Sequence, residues 1–229
     1  MADFFRFPHT PHLAWLGEGS PRDDKVLSRR EVDELLGGEV IVEEKFDGAN
    51  LGLSAGPAGG LRPQNRGQYL EPPYSGQFSR LGSWLAEREA RLAEALGSTH
   101  ILFGEWCAAR HSVTYDALPD WFLAFDVYDR EADAFWSTKR RDHFLATMGL
   151  TAVSSVFVGR TSLDELKRML ANRRSAFGEG PMEGLVVRRE SGDVLQARAK
   201  LVRADFTQAI SEHWSRRHME WNGVRPQRP

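Results

Sequence analysis

Residues 40–55, VIVEEKFDGANLGLSA, constrain the fold more tightly than any other stretch of this chain. Apolar and β-branched residues run into two glutamates and Lys45, Asp47-Gly48 supplies a turn, and NLGLSA returns. Such runs bounded by Asp-Gly read as two strands joined by a tight connection. Lys45 then stands at a strand end, and the turn brings backbone N–H groups and the Asn50 side chain back toward the same point. Two readings are open for this lysine. It is an exposed charge that discourages edge-to-edge pairing, or an amine aimed into a cleft. A nucleophilic amine must shed its proton, so the second reading calls for nearby cations or desolvation.

The rest of the chain alternates short strands with helices whose ends are marked. Ser28 and Glu31 form a capping box that opens a helix over RREVDELL (29–36), and Gly37-Gly38 stops it. GPAGG (56–60) reads as a hairpin tip, followed by LRPQNRGQYL with Arg66 ahead of a glycine. From Phe78 through Leu81, Leu85, Leu92 and Leu96 the spacing predicts one packing helix, closed by Gly97. HILFGEW (100–106) and WFLAFDVYD (121–129) read as aromatic-rich strands joined by a loop containing HSVTYDALPD. A helix follows Ser137-Thr138 and ends at Gly149, and a second opens at the capping box of Ser162 and Glu165. EGLVVRR (183–189) and VLQARAK (194–200) read as strands joined by ESGD, before a last helix starting near Asp205. There is no internal repeat. The expected architecture is a single α+β domain over residues 1–229, mostly antiparallel sheets flanked by helices.

Composition narrows the partners. Of 229 residues 41% are hydrophobic, which is enough for a packed core, and no stretch approaches the roughly 18 apolar residues of a membrane span. With no secretory signal at the N-terminus, a cytoplasmic location and no membrane partner are expected. A lone Cys107 excludes an internal disulfide framework and any multi-cysteine zinc site, and reads as an inert half-buried thiol. The histidines, including HTPH (9–12), His213 and His218, show no metal-ligand spacing and read as structural or solvated. A formal net charge of −2 gives no general attraction to polyanions, so any such site must be a local cluster of cations. The pairs within KRR (139–141) and at Arg216-Arg217 read as solvated helix faces. Arg188-Arg189 and RAKLVR (198–203) differ, because they lie on apolar β-type runs.

Four further features could carry chemistry. Glu105 in FGEW and Glu183 in EGLVV are carboxylates in apolar strands, where an unpaired charge costs roughly several kcal/mol and demands a partner. A structural salt bridge would satisfy either one. Arg198 and Lys200 alternate with alanine and so face one side of their strand, which cannot be an ordinary core face. Phe122 and Phe125 point to opposite faces, leaving one for the core and one for stacking on a base.

Read in order, KFDGAN, FGEW, FLAFDVYD, EGLVVR and RAKLVRADF resemble the motif set of the covalent nucleotidyltransferase superfamily, which contains ATP-dependent ligases and mRNA capping enzymes. The asparagine after KFDGA and the motif NRG are most similar to the RNA ligase family typified by the second RNA ligase of phage T4. The resemblance spans residues 40 to about 206. It implies a nucleotidyltransferase fold, ATP-grasp-like, with the sheets around a nucleotide cleft.

The resemblance also implies roles. Lys45 attacks the α-phosphate of ATP and holds AMP as a phosphoramidate, and the AMP passes to an RNA 5′-phosphate that a 3′-hydroxyl then seals. Asp47 and Asn50 belong to the catalytic motif, with Asn50 near the α-phosphate. Glu44 contacts adenine through its backbone, Arg66 a phosphate, Glu105 the ribose, and Phe125 stacks on the base. Glu183, with Glu105, is the metal-linked carboxylate for Mg²⁺ or Mn²⁺, and Arg198 with Lys200 grips the α-phosphate while favouring a neutral Lys45. The first basic residue of that last motif is usually lysine in the family; Arg198 replaces it here. Only 29 residues follow Lys200, so no separate oligonucleotide-binding or helical C-terminal domain is expected, and a companion end-healing kinase or phosphatase becomes plausible. The alternatives are a minimal DNA ligase or guanylyltransferase of the same superfamily, or a catalytically silent RNA-end-binding module.

Overall fold

A computed structural model describes residues 4–21, 24–56, 59–209 and 219–225. The first half of the chain runs through α1 (Arg29–Leu36), β1 (Val40–Lys45), β2 (Ala49–Ala55), β3 (Leu61–Gln64), α2 (Leu81–Ala86), α3 (Glu89–Leu96) and β4 (His100–Trp106). It continues with β5 (Phe122–Asp129), β6 (Ala134–Phe135), α4 (Thr138–Met148), β7 (Thr151–Ala152) and β8 (Ser155–Gly159). The remainder is α5 (Leu163–Asn172), β9 (Gly184–Ser191), β10 (Val194–Val202) and α6 (Ala204–Ala209).

Two sheets result. One has the order β10-β9-β1-β8 and the other β3-β2-β4-β5-β6, with β7 added in parallel to β5 and every other pairing antiparallel. The α+β expectation therefore holds. β1 and β2 are consecutive but lie in different sheets, so the Asp-Gly turn is a crossing between sheets rather than a hairpin. Gly48 makes that crossing possible: a Cβ there would stand 2.5 Å from the Trp106 carbonyl oxygen.

Each sheet buries its outer face under helices. Val40, Val42, Leu185, Val187, Ala199 and Leu201 of the first pack with Val32 and Leu35 of α1 and Leu166 and Leu170 of α5. Both helices open at the expected capping boxes, Ser28 with Glu31 and Ser162 with Glu165, each worth about 1 kcal/mol. The second sheet packs Leu51, Leu53, Leu102 and Phe122 against α2, α3 and α4. An N-terminal strap adds Phe5 and Phe7 against Phe103 and Tyr128, and its residues 11–13 exchange backbone hydrogen bonds with Lys200 on the β10 edge. Among the described residues no helix is long and apolar enough to cross a membrane.

Three local expectations are corrected. The single helix expected from Phe78 to Leu96 is a 3₁₀ turn and two helices, broken at Arg88, whose guanidinium folds back to donate to the Trp84 carbonyl at 3.1 Å and pairs with Asp120 at 3.4 Å. The leucine spacing survives the break because Leu81, Leu85, Leu92 and Leu96 are all buried. KRR (139–141) is only in part a solvated face: Lys139 is exposed, but Arg141 is 1% exposed, on the side of α4 that carries Thr138 and Leu145. Cys107 is fully rather than half buried. His213, Trp214, Arg216, Arg217 and His218 lie outside the described residues, as does part of the 56–60 tip.

Candidate active site

The inner faces of the two sheets enclose a cleft of about 1040 Å³. Lys45 ends β1, and Glu183 immediately precedes the β9 strand that pairs with β1, so their side chains meet although 138 positions separate them: Nζ to Oε2 is 2.7 Å. Glu44, Asn50, Arg66, Glu105, Phe125, Arg198 and Lys200 line the same cleft. Each arrives by a simple backbone rule. Asn50 and Glu105 are directly paired on β2 and β4, and Arg198 and Lys200 project from alternate positions of β10 while Ala199 between them is core.

Phe122 and Phe125 do face opposite ways, Phe122 into the helical core and Phe125 into the cleft. A bulge sharpens the arrangement. Phe103 pairs with Asp126 and Gly104 with Ala124, leaving Phe125 as the extra residue, so Phe125 and Asp126 both point into the cleft.

Electrostatics set the resting state of these groups. Burial alone would pull the Lys45 amine down, but the charges of Glu183, Glu105 and Asp47 outweigh it and hold the amine protonated, well above the ordinary lysine range. The expectation that neighbouring cations keep Lys45 neutral is thus reversed, because carboxylates are its nearest company. Burial, opposed by Lys45, pushes both Glu105 and Glu183 up to about 7. Arg198 is paired with Asp126, and Lys200 with Asp24 from the strap. Burial lowers Lys200 while Asp24 opposes the shift. Every cation named here is answered by a carboxylate from another part of the chain.

Asp47 behaves differently from the rest of its motif. Its carboxylate accepts hydrogen bonds from the backbone N–H groups of Ser112 (2.6 Å) and Val113 (2.9 Å), and its own N–H donates to the Tyr115 hydroxyl (2.8 Å). It braces the turn behind Lys45. The Glu44 carboxylate is likewise engaged, accepting from the Ser175 hydroxyl at 2.5 Å and the Ala176 N–H at 2.9 Å, and its own N–H donates to the Ser154 carbonyl oxygen at 2.9 Å. Asn50 Oδ1 is buried without a partner, a polar atom waiting at the cleft wall.

Several residues at the site escaped the sequence reading or, like Arg188, were noted as cations on an apolar strand but given no role. Arg141 Nη2 donates to Glu43 Oε1 (2.6 Å) and its Nη1 to the Phe125 carbonyl oxygen (2.6 Å). Arg188 pairs with Asp126 (2.8 Å) and Glu190 (3.1 Å), and donates to that same carbonyl at 3.3 Å. Together these guanidiniums hold the bulge that presents Phe125. Asp126 was visible in principle, since a carboxylate inside FLAFDVYD demands a partner as much as Glu105 does. His12 and His111, read as structural or solvated, line the cleft. Asp24 left no local signal.

The matching family model, described as RNA ligase, covers residues 38–202. The chain belongs to the RNA ligase family. Solved structures of similar fold include Naegleria gruberi RNA ligase with pyrophosphate, at TM-score 0.60 and 17% identity over 82% of this chain and 55% of that one. An archaeal ATP-dependent RNA ligase matches at TM-score 0.61 and 20% identity, over 87% of this chain and 48% of that one. A lysine-to-alanine variant of the Naegleria enzyme with ATP and manganese matches at TM-score 0.62 and 15% identity, over 88% and 63%. The chain therefore spans about half to two thirds of the length of these structures. A search of curated proteins returned no significant match.

Proposed function

We propose that this RNA ligase family member is an ATP-dependent ligase that joins RNA 3′-hydroxyl and 5′-phosphate ends through a lysyl-AMP formed on Lys45. The observation that carries the reading is the 2.7 Å meeting of Lys45 and Glu183 inside a nucleotide-sized cleft that also gathers Glu105, Phe125, Arg198 and Lys200. In the first step the Lys45 ammonium loses a proton to solvent, the free amine forms a bond to the α-phosphorus as the bond to pyrophosphate breaks, and the second nitrogen proton leaves to pyrophosphate or solvent. Phosphoryl transfer of this kind is catalysed mainly by positioning and by neutralising developing charge. Arg198 and Lys200 supply that charge for the α-phosphate, and Arg66 for another phosphate. Phe125 offers its ring to adenine, the Glu44 backbone the base edge, and Glu105 the ribose. The unpartnered Asn50 Oδ1 suits a group brought by the ligand.

Among the described residues no cluster of three or more His, Cys, Asp and Glu side chains could hold a metal ion unaided. Glu183 with Glu105 nevertheless fits Mg²⁺ or Mn²⁺, since Mg²⁺ typically uses one or two carboxylates together with phosphate oxygens and water. When bound there, the ion would neutralise phosphate charge.

The test is incubation with α-labelled ATP and, separately, GTP, in wild type and Lys45→Ala. Label is expected on wild type with ATP alone and on neither with the variant. Label with GTP only points to a guanylyltransferase, and undiminished labelling of Lys45→Ala removes the nucleophile. Sealing assays on RNA, DNA and mixed nicks then decide the strand.

A further inference from the structure

We infer that the segment at residues 219–225 is a clasp that aligns the nucleophile turn, with Asn222 as its positioning residue. The inference rests on the reading of Lys45 given above. Asn222 is 5% exposed although it lies far beyond the last motif. All three of its amide's bonds reach into the loop after β4: the Tyr115 N–H donates to Oδ1 at 3.0 Å, and Nδ2 donates to the carbonyl oxygens of Cys107 (2.8 Å) and Ala109 (3.3 Å). Backbone bonds repeat the pairing on both sides. Asn222 N donates to Ala108, Arg110 N to Glu220, Gly223 N to Tyr115, Leu118 N to Gly223 and Arg225 N to Leu118, all at 2.8–3.0 Å. Gly223 passes so close that a Cβ would stand 2.7 Å from the Asp116 carbonyl oxygen.

The loop clasped in this way is the one that holds Asp47. Its Ser112 and Val113 N–H groups both donate to Asp47 Oδ2, and its Tyr115 hydroxyl takes the Asp47 N–H. Tyr115 is the shared piece: its backbone N–H is fixed by Asn222 and its hydroxyl by Asp47. Two residues before Asp47 stands Lys45. The loop of fifteen residues between β4 and β5 has no helix or ladder of its own to fix it, so the order of the 112–115 stretch depends on what grips it from outside. An amide is suited to the task, because one side chain both accepts from and donates to backbone without burying a charge.

Truncating the side chain should then slow the chemistry through geometry rather than through nucleotide affinity. Asn222→Ala is expected to lower the single-turnover rate of protein adenylylation about tenfold or more, with the ATP concentration for half-maximal rate changed by less than about threefold. Because a purely structural loss could also reduce activity, the variant is combined with Asp47→Ala. If Asn222 acts through Asp47, it slows the Asp47→Ala enzyme by less than about twofold, and multiplying effects would overturn the proposal. Amide hydrogen exchange supplies a readout independent of activity. Asn222→Ala should lose protection at Asp47, Ser112 and Val113 while β1 and β9 keep theirs, and unchanged protection at those three amides also overturns it. Should Asn222→Ala fail to fold, Gly223→Ala perturbs the same clasp and is held to the same outcomes. If wild-type protein takes no label at all, the ligase reading is what fails, and the exchange result still decides whether the clasp orders the turn.

Discussion

Replacing Arg141 by methionine removes the hub of the charge cluster behind the cleft, and its cost can be worked from the contacts. The guanidinium is 1% exposed and answers Glu43, itself 2% exposed, at 2.6 Å, the Phe125 carbonyl at 2.6 Å and Asp142 at 2.8 Å. Methionine fills much of the volume but leaves Glu43 buried, with only Arg188 at 3.7 Å as a counter-charge. Breaking a buried pair from one side costs about 3–5 kcal/mol. That is a large part of the roughly 5–15 kcal/mol that holds a typical domain together. For a chain of this size it corresponds to a fall in Tm of roughly 6–20 °C. Adding Glu43→Gln to the variant removes the orphaned charge, so the double substitution should be less destabilising than the two single ones summed, by about 1–3 kcal/mol. Urea unfolding followed by circular dichroism measures all four proteins, with unchanged m-values as the check that the unfolded states match. A loss under about 1 kcal/mol for Arg141→Met, or simple additivity with Glu43→Gln, refutes the view that this cluster is a coupled buried network.

Three other outcomes follow from the geometry. Phe122→Ala should cost about 3–5 kcal/mol of stability, because its ring is fully buried against Trp84, whereas Phe125→Ala should chiefly weaken ATP use; urea midpoints and ATP-dependence of labelling compare the two, and the reverse order means the faces are misassigned. Gly48→Ala drives a methyl against the Trp106 carbonyl at 2.5 Å and should reduce adenylylation at least about a hundredfold by displacing the turn; a rate near wild type would show that the turn yields. Burial, aided by the charge of Lys200, lowers His12 from 6.5 to about 4, so the unfolded chain binds the extra proton between those values. The resulting stability, up to about 3 kcal/mol, is complete above pH 6.5 and is lost as pH falls toward 4. His12→Gln should flatten the fall in urea midpoint between pH 7 and 5, and an unaltered slope would assign the acid sensitivity elsewhere.

What the sequence made legible was whatever local periodicity controls. Two capping boxes placed α1 and α5, and alternation put Arg198 and Lys200 on one face of β10 and separated Phe122 from Phe125. Alternation sees faces but not bulges, so Asp126 beside Phe125 in the cleft could not be read from it. The break at Arg88 was hidden because leucines on both sides of it still reach one core. Arg141 was missed for a correctable reason: it lies four residues before the buried Leu145, and helical spacing alone would have turned it inward. The Lys200–Asp24 pair joins residues 176 positions apart, and no local pattern encodes such a meeting.

The pairing of Lys45, Arg198 and Lys200 with carboxylates has a consequence for how a nucleotide would enter. Three positive groups facing one another in a half-buried cavity would repel strongly at the low effective dielectric found there. Glu183, Asp24 and Asp126 remove that repulsion by pairing with Lys45, Lys200 and Arg198. They are not equivalent partners. Asp126 is 2% exposed and also bound by Arg188, so the Arg198 pair is fixed framework and its guanidinium a standing charge at the cleft wall. Asp24 is on the strap and Glu183 ends a loop, so those two carboxylates can give way to phosphate with less rearrangement. Binding on this view is an exchange of anions at Lys200 and the uncovering of Lys45. The Glu183 carboxylate at 2.7 Å, together with the charges of Glu105 and Asp47, favours the protonated amine, so a positive charge that draws Glu183 away would ease the loss of that proton. Glu183 therefore restrains the Lys45 amine, and if Lys45 is the nucleophile proposed above, the same group would help release it when the cleft is filled.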